Sequence, residues 1–249
     1  MNAFALEARK CRHRKIWVMP LLILGFQLLW ILWTTGRMDG EDLRDGWAFV
    51  IIGTQMLNCL TMPVLASVTA SRVWDMEHKG QTLKLLKTLT PSSGIFHGKL
   101  LYGYLWMFLC GFLQTLVIAA AGKLQGFYGP VPGGQLAYAF WVCSGVNLVI
   151  YLIYQILSMV YANQLIPLTA GLLGAFIGFL SNLFPKSLGL LIPWGYYSRL
   201  SSVAVSYDLE AVTAHYTFIP IPWADWIPAV ILLVILYPAG RILLRKKEV

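Results

Sequence analysis

Charge is the scarcest property of this sequence. Asp, Glu, Lys and Arg make up 12% of its 249 residues and apolar types 58%, where soluble globular chains carry about 25% and about 45–50%. That balance excludes a disordered chain, which needs high charge and little apolar surface, and a soluble enzyme fits it poorly. Cysteine is scarce too. Cys59, Cys110 and Cys143 lie in apolar runs and Cys11 in a basic segment, so neither an extracellular disulfide framework nor a CxxC or Cys/His metal site is expected. His13, His78, His97 and His215 fall outside the apolar runs, and no HExxH occurs, which excludes an intramembrane metalloprotease of that type. Ionisable residues are missing from the interiors of the apolar runs, and with them the usual proton or sodium relays of coupled carriers. Gly94-Ile-Phe-His-Gly98-Lys99-Leu100 imitates a phosphate-binding loop. It is one residue short between its glycines, and Leu stands where Ser or Thr would reach Mg2+. The chain itself is expected not to bind nucleotide.

Long apolar runs are what the sequence does have. A bilayer core about 30 Å thick takes about 20 apolar residues in a helix. Six segments qualify: Ile16–Trp33, Trp47–Thr69, Leu100–Ala121, Leu136–Tyr161, Leu165–Phe184 and Trp226–Leu244. Leu188–Pro193 is apolar but too short to cross. The first run lacks a small-residue cleavage site and reads as a retained span rather than a signal peptide. Ten Trp, twelve Tyr and twelve Phe suit membrane–water interfaces. The net charge of +8 gains meaning from its placement. Five Lys and Arg precede the first run, five lie between the second and third and four lie at or beyond the end of the sixth, while the other loops hold two, one and two. The positive-inside rule then places both termini in the cytoplasm, and no nucleic-acid partner is needed to explain the charge. A seventh span at Leu188 would throw Arg245-Lys246-Lys247 outside. The predicted fold class is therefore an all-α integral membrane protein, one unit over residues 1–249, with six transmembrane helices. No internal repeat or low-complexity tract is present.

Three stretches lie outside the spans. In residues 1–15, Phe4, Ala8 and Cys11 recur at helical spacing against Arg9, Arg12 and Lys15, predicting an N-terminal interfacial helix. In the cytoplasmic loop 71–99, Leu83, Leu86 and Leu89-Thr90 recur at three-to-four spacing around Lys84 and Lys87. That predicts a short amphipathic helix, Glu77–Thr90, ended by Pro91. By periodicity alone it is equally a helix lying on the membrane surface. The outer loop 185–225, between spans five and six, is rich in Pro and aromatics and predicts re-entrant or interfacial helices. Its Tyr196 and Tyr197, with Asp39, Glu41, Asp42 and Asp45 of the first outer loop, are candidate outer contacts for a cationic substrate. Simple anchoring and ordinary surface acids are the bland counterparts. Inside the spans the polar residues are neutral. Gln55, Asn58, Gln114 and Asn147, beside Gln27 and Gln155, line a pathway or bond between helices at about 0.6 kcal/mol each.

The residues with the most detail are Glu7-Ala-Arg-Lys at the N-terminus, then Glu77-x-x-Gly80, Thr82, Leu85-Leu86, Thr88-x-x-Pro91 and Gly98-Lys99 leading into the third span. Together they resemble the permeases of the ABC-2 type. In length and in lacking an attached ATPase, the chain is most similar to lantibiotic-protection permeases of the MutE/EpiE type. The resemblance implies a transport subunit that is not an enzyme, in a bacterial cell membrane and surrounded by membrane lipid. Its implied partners are two copies of an ABC ATPase subunit, which bind the ATP and Mg, and a second six-span permease, identical or related. No cofactor is implied in this chain. The cytoplasmic coupling helix between spans two and three would dock on the ATPase through Glu77, Gly80, Leu83, Leu86, Thr88 and Pro91. Leu83 and Leu86 would form its apolar face, with Glu77 near its N-terminus. The implied cargo is a cationic antimicrobial peptide removed from the membrane. The alternatives are another drug or a bacitracin-like or lipid-linked antibiotic on the same architecture, and a membrane scaffold that transports nothing.

Overall fold

Residues with apolar runs and no interior charge form long helices because lipid leaves backbone polar groups no partner outside the helix. The computed structural model describes residues 3–11, 15–38, 40, 42–80, 82–208 and 213–247. Among them six helices are long and apolar enough to cross a membrane. These are α2 (Val18–Thr35), α3 (Gly46–Gly80), α5 (Ser92–Leu124), α6 (Gly133–Val160), α7 (Leu165–Leu180, prolonged by a 3-10 turn) and α10 (Ile227–Lys246). Their centres agree with the six predicted spans. A short α1 (Ala3–Cys11) precedes them and α4 (Leu83–Leu89) joins α3 to α5.

Two helices overrun the bilayer. At 1.5 Å per residue α3 is about 52 Å long and α5 about 50 Å, against a hydrocarbon core of about 30 Å. Their cytoplasmic ends take up most of the predicted loop 71–99. Glu77 and Gly80 consequently lie in the last turn of α3, and Glu77 does not open the short helix as expected. The short helix is Leu83–Leu89.

α3 and α6 form the centre, buried along most of their length, while α2 and α10 show most of their surface to lipid. Leu22, Phe26 and Leu29 of α2 and Ile231, Val234 and Ile235 of α10 point outward. A line of amides ties the centre together. Gln27 Nε2 donates to Asn58 Oδ1 at 2.9 Å and to Thr61 Oγ1 at 3.0 Å. Asn58 and Gln114 exchange a reciprocal pair at 3.0 and 3.2 Å. Asn147 Nδ2 donates to Met107 O at 3.3 Å and its Oδ1 accepts from Tyr197 Oη at 2.8 Å. Asn58, Gln114 and Asn147 therefore bond between helices. Gln55 stands apart: both its amide atoms are buried without a hydrogen-bond partner.

The outer segment after α7 folds back into the helix bundle. α8 (Lys186–Gly189), a 3-10 turn at Pro193–Gly195 and α9 (Tyr196–Arg199) dip to the middle of α6, where Tyr197 meets Asn147. Trp194 Nε1 donates to Tyr154 Oη at 2.8 Å. Glycine makes room on α7. A Cβ at Gly174 would sit 2.5 Å from Trp194 Nε1, and one at Gly178 would sit 2.7 Å from the Trp194 backbone. Tyr196 and Tyr197 are 3% and 0% exposed, so the expectation that they meet substrate on the outer face is corrected. Their rings fill the core, and the Tyr197 hydroxyl is committed to α6.

The segment then rises into a hairpin absent from the expected helical loop. β1 (Val203–Asp208) pairs antiparallel with β2 (Thr213–Phe218), with Val203 opposite Phe218 and Asp208 opposite Thr213. It lies over the outer end of α3, where Tyr216 packs edge-on against Phe49 at 5.1 Å.

Candidate functional site

Where the overlong ends of α3 and α5 meet α1 and α4, the chain buries a charge cluster. Lys99, on α5, is 0% exposed. Its Nζ donates to Glu7 Oε2 at 3.0 Å, to Glu77 Oε1 at 3.1 Å and to Val73 O at 3.1 Å, and it lies 5.1 Å from the centroid of the Trp74 ring. Lys10 adds a bond to Glu77 Oε1 at 2.8 Å. Two acids and two bases thus balance, which burial demands because an unpaired buried charge is strongly destabilising. Three helices supply the members: Glu7 and Lys10 come from α1, Glu77 from α3 and Lys99 from α5.

The apolar face of α1 follows its charges inward. Cys11 packs with Val73 and Tyr102, and Phe4 and Ala8 lie against them. The helix expected to lie on the bilayer surface is therefore docked on protein along that face. Burial, with Glu7 adding to it, pushes the Cys11 thiol up to about 11, which leaves it protonated and unreactive.

α4 hangs from this cluster. Thr82, at its N-cap, donates through Oγ1 to Glu77 Oε2, and Lys87 Nζ donates to the Lys247 carbonyl beyond α10. The Lys247 ammonium donates to Met159 O, and burial together with Lys87 lowers its pKa. On α4 the expected docking leucines face the wrong way for a partner. Leu83 and Leu86 are 4% and 7% exposed and belong to the main core with Ile95 and Phe96. The apolar side chains turned outward are Leu85 and Leu89, 61% and 74% exposed, with Thr88 exposed between them. Seven residues suffice for two apolar sides, and the packing of α4 on α5 selects which is covered. Gly80 ends α3 and Pro91 is the N-cap of α5, so both frame α4 without lying on it.

The other expected contacts are scattered. Asp39 and Glu41 lie outside the described residues, as does the side chain of Asp42. Asp45 accepts from Tyr216 N at 3.2 Å and lies 3.9 Å from His215 Nδ1, so it anchors the hairpin. Among the described residues no cluster of His, Cys, Asp and Glu could hold a metal ion.

A six-span membrane domain whose cytoplasmic ends gather into a compact joint carrying a short exposed helix is the class of protein defined by this geometry. The sequence profile described as ABC-2 family transporter protein matches residues 3–205. That stretch runs from α1 through every element of the joint, and the chain belongs to the ABC-2 family. It is a multi-pass protein of the cell membrane and the membrane subunit of an ABC transporter. In this family such a subunit normally pairs with a separate ATPase. No curated protein matches the chain.

Sequence reading missed Lys99 as the centre of the joint, counting it as one more cytoplasmic base. A usable signal was present: all four charges, Glu7, Lys10, Glu77 and Lys99, fall within the motif residues that carry the family resemblance.

Proposed function

We propose that this chain is the permease of an ATP-driven exporter and that α4 transmits the ATPase's movement to the spans. The carrying observation is the outward pair Leu85 and Leu89 on a helix bonded, through Thr82 and Glu77, to the buried Lys99 cluster. Two exposed leucines fit an apolar groove on a partner, and burying both supplies roughly 3–6 kcal/mol before association costs. A push on α4 passes through Glu77 to α3 and through Lys99 to α5 and α1. ATP and Mg2+ belong to the partner ATPase in this reading, and the permease works in a pair.

Cargo follows from the chain's likeness in length and general pattern to lantibiotic-protection permeases: a cationic antimicrobial peptide lifted from the membrane to the outside. One structural observation favours a second cargo on the same architecture, an amphiphile with an anionic head, because the outer-face cavity is lined by Arg199 and Lys186.

The coupling test compares two double variants. Leu85→Asp with Leu89→Asp should insert normally yet lose its co-purifying ATPase and its transport. Leu83→Asp with Leu86→Asp should instead destabilise the fold, since it places two charges in the core. Retention of the ATPase and of transport by the Leu85/Leu89 variant would reduce α4 to a surface helix. Survival against a panel of cationic peptides and lipid-linked antibiotics then separates the two cargoes.

A further inference from the structure

At the outer face the re-entrant segment, the hairpin and α3 enclose a cavity of about 440 Å3. Its walls differ in chemistry. Ile52 and Met56 of α3, Val203 and Val205 of β1, Ile219 and Pro222 give an apolar side. Asn182, Ser198, Ser201, Lys186 and Arg199 give a polar, cationic one. Ile52 and Met56 lie six and ten residues past the outer start of α3, so the apolar wall descends about 9–15 Å along that helix. The cavity therefore runs from headgroup level towards the acyl region.

Its two cations are not equivalent. Lys186 is paired with Asp225 at 2.5 Å. Arg199 reaches from α9 to the outer end of α7, where its Nη2 donates to the carbonyls of Ser181 and Phe184. Among the described residues no carboxylate pairs with it, and its Nε is buried without a hydrogen-bond partner. The polar wall is prearranged: Ser198 Oγ donates to Asn182 Oδ1 at 2.7 Å, and Ser201 Oγ accepts from Val203 N at 3.1 Å. A guanidinium without a counter-ion beside hydroxyls suits a phosphate-type anion, and the apolar wall below it suits a hydrocarbon chain.

We propose that this cavity is a binding site for an amphiphile with a phosphate head, the head at Arg199 and the chain along Ile52, Met56 and Ile219. It deepens the transporter reading by naming a ligand class for the outer leaflet, but binding itself needs neither ATP nor the ATPase. The same phosphate chemistry is offered by a lipid headgroup and by a free anion, and the experiment separates them.

The full chain is placed in nanodiscs of equal phosphatidylglycerol and phosphatidylcholine, and retained lipid is counted by native mass spectrometry after release. Phosphatidylglycerol should be kept in preference to phosphatidylcholine. Arg199→Gln should weaken its retention about tenfold, the worth of one charged hydrogen bond. Because Arg199 also bonds two carbonyls, a second variant leaves it intact: Ile219→Trp fills the cavity and should reduce retention equally. Lys123→Gln, removing an exposed outer base that is not part of the cavity wall, should leave retention within about twofold. Equal retention of the two lipids, or undiminished retention in Ile219→Trp, would overturn the proposal. Displacement of the lipid by excess inorganic phosphate would assign the site to a free anion and also overturn it. Any of these failures leaves the coupling reading standing, since that rests on ATPase retention by α4.

Discussion

Lys99 shows how one side chain acquires meaning from burial. In water its ammonium would be an ordinary surface charge. Here it is fully enclosed and its three donors are spent on Glu7, Glu77 and Val73 O. Lys99→Met removes the positive centre and strands the carboxylates of Glu7 and Glu77, with only the half-exposed Lys10 left to them. Breaking a buried pair in this way costs about 3–5 kcal/mol, read as lost resistance to unfolding in mixed detergent. Removing the charges together should be far milder, because replacing a whole buried ion cluster by neutral groups is often close to neutral. Lys99→Met with Glu7→Gln and Glu77→Gln is therefore expected to recover most of the loss. A triple variant as unstable as the single one would show that packing of the Lys99 stem, and not charge pairing, holds the joint. The family motifs mark each of these residues, but no local pattern pairs them, since Lys99 and Glu7 are 92 residues apart in the chain.

Among the elements, α7 is where close approach decides the architecture. GxxxG spacings at Gly36, Gly94, Gly122 and Gly129 stand at loop edges in the sequence, and the one that packs against Trp194 of the following segment is Gly174–Gly178. Gly171 continues the same face, where a Cβ would lie 2.5 Å from that of Ser67 on α3. The re-entrant segment depends on this smooth face, and at Gly178 the obstructing atoms are backbone, which no rotamer change relieves. Gly178→Leu should force the segment off α7, at a cost above the roughly 1–3 kcal/mol of ordinary overpacking. Native Cys59 reports the event, being 0% exposed with its thiol 3.5 Å from Ser198 Oγ. In a chain whose other cysteines are replaced, Gly178→Leu is expected to lower the melting temperature and open Cys59 to a maleimide that cannot cross the membrane. Continued protection of Cys59 would mean that the segment is held by something other than α7. The hairpin had a legible signal in its alternation of Val203, Val205 and Tyr207, which the weight of the surrounding aromatics obscured.

As a whole the molecule is the membrane subunit of a transporter, to which the proposed function assigns the transmission and not the motor. Its spans carry amides where a coupled carrier would carry acids, and its longest helices leave the bilayer to build a joint on the cytoplasmic side. The purified chain at physiological ATP is expected to take no label from a photoreactive ATP analogue, and labelling is expected to appear once the partner ATPase is added. Robust labelling of the chain alone would remove the division of labour on which the proposed function stands.

The number of spans, their positions and their orientation were determined by the sequence alone. Each rests on a local quantity, the transfer of about 20 consecutive side chains into lipid and the side on which bases fall. Facing was decided only by tertiary structure. Whether Leu83 and Leu86 or Leu85 and Leu89 look outward depends on Ile95 and Phe96 of the next helix. Whether Tyr196 and Tyr197 meet the outside or the core depends on glycines in α7 and on Asn147 in α6. The cavity beside Arg199 exists because the hairpin, about 150 residues further along the chain, closes over the outer end of α3. A helix periodicity names the sides of an element, but the neighbour that covers one of them is chosen by contacts distant in sequence.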